Sequence, residues 1–251
     1  MNQKQSMVSN IEVLAIIPAR GGSKGIKDKN IINLNGSSLI SYSIKAALNS
    51  KLVSRVICST NSEIIAKEAL KHGAEVPFLR PNKLAQDSST DIECFNHALE
   101  WLANEESYKP LLILQLRPTS PIRNVEMIDT AIQIMIENES YDSLRAITEP
   151  DHTPYKMWKL VSEDKMEPLL KLANNKEPFN TNRQKLPEVY AQTGSIDITR
   201  PETLKKFKSM TGEKIYPFII DQRYFVDIDN MESLEIASIR MKQLDCIKFN
   251  E

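Results

Sequence analysis

The sequence predicts an α/β protein with a mostly parallel sheet and helices on both faces. Three observations predict it. Short apolar runs alternate with amphipathic helical stretches from residue 13 to residue 150. The runs lack polar alternation, as strands covered on both faces do. After Pro150 the rhythm breaks into a polar, turn-rich stretch and then resumes. Strands and helices alternating at these lengths build parallel sheets.

The elements follow in order. Val13 to Ile17 is a continuous apolar run, read as a buried strand. From Ser38 a helix begins, with Leu39, Ile40, Ile44, Ala47 and Leu48 on one face. Arg55 to Ser59 is a second strand, and Ser62 to His72 a helix stopped by Gly73. Val76 to Leu79 reads as another short strand. Asp91 to Ala103 is a helix with Phe95, Ala98, Leu99 and Leu102 inward. Leu111 to Leu116 is a strand, Val125 to Ile136 a helix and Ser143 to Thr148 a strand.

Beyond Pro150, Tyr155 to Leu160 and Met166 to Leu172 suit a hairpin, and Asn174 to Pro187 is rich in turns. Val189 to Ile198 is read as a strand returning to the sheet. Pro201 to Lys208 is a short helix, Ile215 to Ile219 a strand and Met231 to Leu244 a last helix. Residues 1–251 are therefore expected to form one domain, from which residues 150–190 project as an insertion.

Composition narrows the function classes. A net charge of -1 gives no general attraction to nucleic acid or an anionic membrane, so any anion site must be local. Cys58, Cys94 and Cys246 form no paired metal motif, and an odd count argues against a disulfide framework. No apolar run approaches the ~18 residues of a membrane span. The opening MNQKQSMVSN lacks the apolar core of a signal peptide. A cytoplasmic location is expected.

The first strand runs directly into ARGGSKGIKDKN. Gly21, Gly22 and Gly25 are three of only seven glycines, so backbone freedom is concentrated here. Such a loop turns several N–H groups toward one point, a concavity suited to anions. Arg20, Lys24, Lys27 and Lys29 surround it. A solvated surface loop with scattered lysines is the competing reading. The place of the loop, at the carboxyl end of a buried strand, favours the anion cradle. Neither the Walker string nor the dinucleotide fingerprint is present.

Five strings in order carry a resemblance. They are the loop itself, FLRPNKLAQDSS from Phe78, RPTSPIR from Arg117, NRQKLPEVYAQTGSIDI from Asn182 and FVDIDNMESLEIA from Phe225. Together they resemble the acylneuraminate cytidylyltransferases, a family of Rossmann-like nucleotidyltransferases that join CTP to a 2-keto sugar acid. The resemblance spans about residue 12 to 240.

It implies a CTP site at Arg20, Gly21, Gly22, Ser23, Lys24, Lys29 and Asn30, with Arg20 and Lys29 catalytic. Lys29 would stand nearest the α-phosphate, and the Asn30 amide would read base or ribose. Arg80, Asp87 and Ser88 would lie near the nucleotide; alone, Arg80 reads as a surface arginine before Pro81. Thr119 or Ser120 can instead cap the helix starting near Asn124. The sugar acid is expected at Arg117, Lys156, Arg183, Gln184 and Asp197. The family carries glutamine where Arg117 stands and commonly tyrosine where Asp197 stands. Asp227 and Asp229, two apart, would share one face of an extended strand and suit Mg²⁺ beside a triphosphate. Asp227 is also the candidate base. Asp229 with Glu232 alternatively forms a helix capping box. Basic residues of the insertion often serve the partner subunit's site in this family, so a homodimer is expected. Rival readings are a synthetase for the eight-carbon acid Kdo, a sugar-1-phosphate nucleotidyltransferase and a non-catalytic nucleotide-binding regulator.

Overall fold

The structure, a computed structural model, describes residues 11–249. The signal-peptide reading of MNQKQSMVSN lies outside the described residues. Six strands form the main sheet: β1 (Val13–Pro18), β4 (Arg55–Ser59), β5 (Leu112–Gln115), β6 (Ser143–Thr148), β9 (Ala191–Thr199) and β10 (Ile215–Ile219). Their order is β10-β6-β9-β5-β1-β4. β1 runs parallel to both β4 and β5, and β6 parallel to β10. Only β9 is antiparallel, wedged between β5 and β6. The mostly parallel sheet is as expected.

Helices cover both faces because alternate strand residues are apolar on both. Val13, Ala15 and Ile17 pack with α1 (Leu39–Asn49), α4 (Val125–Glu137) and α6 (Met231–Gln243). Leu14, Ile16 and Ile113 pack on the other face with Cys94, Phe95, Ala98 and Leu102 of α3 (Asp91–Glu106). Two shorter helices, α2 (Glu63–Lys71) and α5 (Pro201–Phe207), complete the layers.

The expected strand at Val76 to Leu79 does not form. The chain makes a single bridge there, Glu75 to Ile57, and leaves the sheet. Pro77 has no N–H to give a ladder. The departure carries Arg80 toward the sheet's carboxyl edge, where its backbone N–H donates to Thr60 at 2.7 Å. Small ladders form at β2 (Asn33–Leu34) with β3 (Ser37–Ser38), and at β7 (Trp158–Ser162) with β8 (Lys165–Pro168). The second is the expected hairpin. Its residues are largely exposed, including Trp158, Leu160 and Met166.

The strand order places the site. From β1 the chain moves to β4 on one side, then returns to β5 on the other. The loops after β1 and β5 therefore diverge and leave a crevice at the carboxyl ends of these strands.

Candidate functional site

A cavity of about 370 Å³ fills that crevice. The loop after β1 supplies Arg20, Ser23, Lys24, Gly25, Lys29 and Asn30 to its wall; the loop after β5 supplies Arg117, Pro118 and Thr119. Arg80, the first turn of α3 and Asp229 close it. Five cationic side chains, Arg20, Lys24, Lys29, Arg80 and Arg117, meet two carboxylates, Asp91 and Asp229, in this wall. A chain of net charge -1 thus concentrates positive charge at one place.

Backbone geometry shapes the loop. Gly22 has φ +75°, a left-handed conformation. A Cβ on Gly25 would lie 2.2 Å from the carbonyl oxygen of Asp229, so only glycine lets the loop touch the distant segment. Asn61 Oδ1 accepts from the Gly21 N–H at 2.9 Å. The Asn30 amide, expected to read base or ribose, donates to the Arg20 carbonyl at 2.9 Å and is largely buried. It braces the loop. Gly21, Gly22 and Ser23 surround a second, smaller hollow of about 80 Å³ under the loop, beside Ser62 at the start of α2.

Acidic side chains answer the cations. Lys29 Nζ stands 2.8 Å from Asp229 Oδ1. Asp87 bridges Arg20 at 2.8 Å and Lys24 at 2.5 Å, at the lip of the cavity. Lys24, then Arg20, hold the Asp87 carboxyl below the usual carboxylate range. Arg117 pairs with Asp91, which also accepts from Gln115 at 3.1 Å. Ser88 is exposed and outside the wall, whereas Ser89 and Thr90 line it. Arg80 is not a surface residue: it is 6% exposed and donates to the Ser59 carbonyl at 2.6 Å.

Several expectations change. Asp197 does not line the cavity. It is 1% exposed, in ionic contact with Arg145 at 2.5 Å, and burial raises its carboxyl against the pull of Arg145. As the central residue pairing with both Gln115 and Arg145 across β9, it has no path to solvent. Lys156, Arg183 and Gln184 are exposed on the insertion, away from this chain's cavity. Arg183 instead donates to the Pro150 carbonyl at 2.7 Å. Asp227 and Asp229 lie in an extended loop, not a strand. Val226 and Ile228 turn inward on either side of Asp227, so both carboxylates are exposed, but only Asp229 lines the cavity. Asn230 with Ser233 forms the capping box of α6, which leaves Asp229 to Lys29. Asn124 caps α4, so neither Thr119 nor Ser120 does.

Asp91, Gln115 and Arg123 were missed by sequence reasoning. Thr90 and Glu93 form a capping box that places the α3 N-terminus at the cavity, a signal legible in the sequence. Among the described residues no group of three or more His, Cys, Asp or Glu side chains is placed to hold a metal ion. Any cation here would need ligand oxygens in addition to protein carboxylates. No helix among the described residues is long and apolar enough to cross a membrane.

Comparisons with known proteins agree with this geometry. Residues 14–247 match the cytidylyltransferase family. A post-translational flagellin modification protein B from Campylobacter coli is 34% identical over 234 residues, covering 92% of this chain and 96% of that protein. A CMP-N,N'-diacetyllegionaminic acid synthase from Campylobacter jejuni is 32% identical over 237 residues, covering 93% and 97%. A solved CMP:2-keto-3-deoxy-manno-octonic acid synthetase complexed with CTP superposes with a TM-score of 0.67 over 92% of this chain and 99% of that one. At 13% identity that likeness is one of fold. With a glycine-lined basic crevice at the strand switch point and a family match over nearly its whole length, the chain belongs to the cytidylyltransferase family.

Proposed function

We propose that the protein couples CTP to a 2-keto sugar acid of the nonulosonate type, giving the CMP-sugar and pyrophosphate. The observation that carries this reading is the cavity wall, where the glycine loop, Arg80 and Arg117 bring five cations together from three separate segments. A triphosphate suits that wall better than any neutral ligand does. The legionaminic acid synthase relative supports the class of acid.

The sugar's anomeric hydroxyl attacks the α-phosphate, the O–P bond forms, and the bond to the β-phosphate breaks as pyrophosphate leaves. Charge builds on the phosphate oxygens, so fixed cations lower the barrier. Arg20, Lys24 and the N–H groups of Gly22 and Ser23 hold the phosphates, while the Gly21 N–H is taken by Asn61 and braces the loop. Lys29 stands at the α-phosphate, and Arg80 closes the nucleotide side with Ser89 near its base. Arg117 faces the sugar acid. Lys156, Arg183 and Gln184 reach the acid bound by a second copy, which makes the working unit a homodimer. The exposed apolar side chains of the hairpin, Trp158, Leu160 and Met166, support that assembly.

Asp229 in the cavity wall and Asp227, exposed two residues before it, fit Mg²⁺, since they offer two hard oxygen donors and this ion keeps several waters. When bound, Mg²⁺ offsets phosphate charge. Asp227 is the candidate to take the hydroxyl proton. The cytoplasm, where CTP is made, is the proposed location.

The test is pyrophosphate release with CTP and a panel of acids: legionaminate, pseudaminate, N-acetylneuraminate, ketodeoxynonulosonate and Kdo, with sugar-1-phosphates as controls. Turnover confined to nonulosonates is expected. Turnover confined to Kdo or to sugar phosphates would replace this reading, and none with any acceptor would favour a regulator.

A further inference from the structure

Arg123 has no exposed surface. Burying a guanidinium is expensive unless a carboxylate answers it. None of the ion pairs among the described residues includes Arg123, and Asp197 acts on it only through space. Burial pushes its guanidinium down to about 9.

Its hydrogen bonds converge on one place. Nη1 donates to Ser43 Oγ of α1 at 2.8 Å, and Nη2 to the main-chain carbonyl of Arg117 at 2.9 Å. Ser43 Oγ also donates to that carbonyl, at 3.3 Å. Nε has no partner. The braced loop, Arg117 to Thr119, lines the cavity. Its far end is tied as well, because the Thr119 carbonyl accepts from the Ile228 N–H at 2.8 Å. An apolar side chain of similar volume would fill the space around Arg123 more cheaply. A costly buried group that holds the backbone of a site wall marks a trade of stability for function.

We propose that Arg123 is a positioning residue, which fixes the main chain of the Arg117–Thr119 loop and so the direction from which Arg117 meets the second substrate. This rests on the reading in which Arg117 faces the sugar acid. It separates Arg123 from the nucleotide cations: its loss should disturb the acid and leave CTP binding alone.

The test compares Arg123→Met, Arg123→Lys and each of these with Arg117→Ala, in the full chain. Melting temperature, calorimetric CTP affinity and steady-state constants for the acid that the wild type uses are measured. Arg123→Met is expected to melt within about 4 °C of wild type. Its CTP affinity should stay within roughly two-fold, while kcat/KM for the acid falls roughly 10- to 100-fold, the scale of a small misplacement. Arg123→Lys, which keeps the charge and one donor direction, should recover part of that loss. In the Arg117→Ala background, adding Arg123→Met should cost less than about three-fold, since residues in one network are not additive. Equal losses of CTP affinity and acid turnover, full additivity, or an unchanged kcat/KM would each overturn the proposal. If Arg123→Met does not fold, Arg123→Lys with wild-type kcat/KM overturns it and Arg123→Lys with a selective loss for the acid supports it. A wild type that uses no sugar acid would instead sink the functional reading.

Discussion

Lys29 Nζ lies 2.8 Å from Asp229 Oδ1, a contact that joins positions 200 residues apart. The same aspartate offers its backbone carbonyl to Gly25, against which any Cβ would collide. The first loop of the sheet and the segment before the last helix therefore form one surface. Lys29 is mostly buried and its carboxylate partner mostly exposed, so the ammonium is held in place while Asp229 stays available to ligands.

Removing that ammonium should act on the chemical step. Lys29→Ala is expected to lower kcat roughly 100-fold or more, the scale of losing one donor to transition-state charge. Steady-state kinetics at saturating substrates would measure it, and near-normal kcat would contradict the role.

Gly22 and Gly25 of the loop should differ in their cost. Gly22→Ala meets open space and pays only for its left-handed φ, about 1–2 kcal/mol. Gly25→Ala must move the Asp229 backbone, so it should lose activity even where the fold survives. Denaturant melts with kinetics on both variants separate the effects. Equal activity in the two would contradict the contact.

Asp87 provides a pH readout. Its folded carboxyl titrates below the unfolded value of about 3.9. A depressed carboxylate contributes stability above the unfolded value, and that contribution is lost as pH falls through the folded one. The clasp on Lys24 and Arg20 should thus open only in acid. CTP, by drawing off both cations, should raise the Asp87 midpoint toward the ordinary value. Carbon-detected NMR titration with and without CTP would show this, and an unmoved midpoint would mean the phosphates bind elsewhere.

Metal dependence should map to the far segment. Chelation is expected to abolish turnover. Asp229→Asn should raise the Mg²⁺ concentration needed for half-maximal rate, and Asp227→Asn should do so too or lower kcat directly. Wild-type Mg²⁺ dependence in both variants would remove these carboxylates from the metal site.

The assembly is open to one substitution. Leu160→Glu on the exposed hairpin should shift a homodimer toward monomer in sedimentation velocity and cut turnover with it. A dimer unchanged by the substitution would place the interface elsewhere.

Much of the fold was legible because it rests on local pattern. Continuous apolar runs mark strands with two covered faces, and helical spacing marks what covers them. Arg55–Ser59 and Ser143–Thr148 have the bounds read from the chain. Val76 to Leu79 failed because an apolar run does not reveal that Pro77 and the need to deliver Arg80 pull it off the sheet edge. Asp197 was misplaced for a related reason. The sequence shows an aspartate on a strand, but not that its neighbours on both sides are strands carrying Gln115 and Arg145.

By itself the sequence determined the alternating architecture, the glycine loop after the first strand and the residue types gathered there. These depend on neighbours within a few positions, where backbone sterics and hydrophobic periodicity act. Only the tertiary structure decided which acid meets which cation, that Asn230 rather than Asp229 caps the last helix, and that Arg123 is sealed beneath the wall. Those outcomes follow from strand order, which brings distant segments within the few ångströms over which hydrogen bonds and burial set energies.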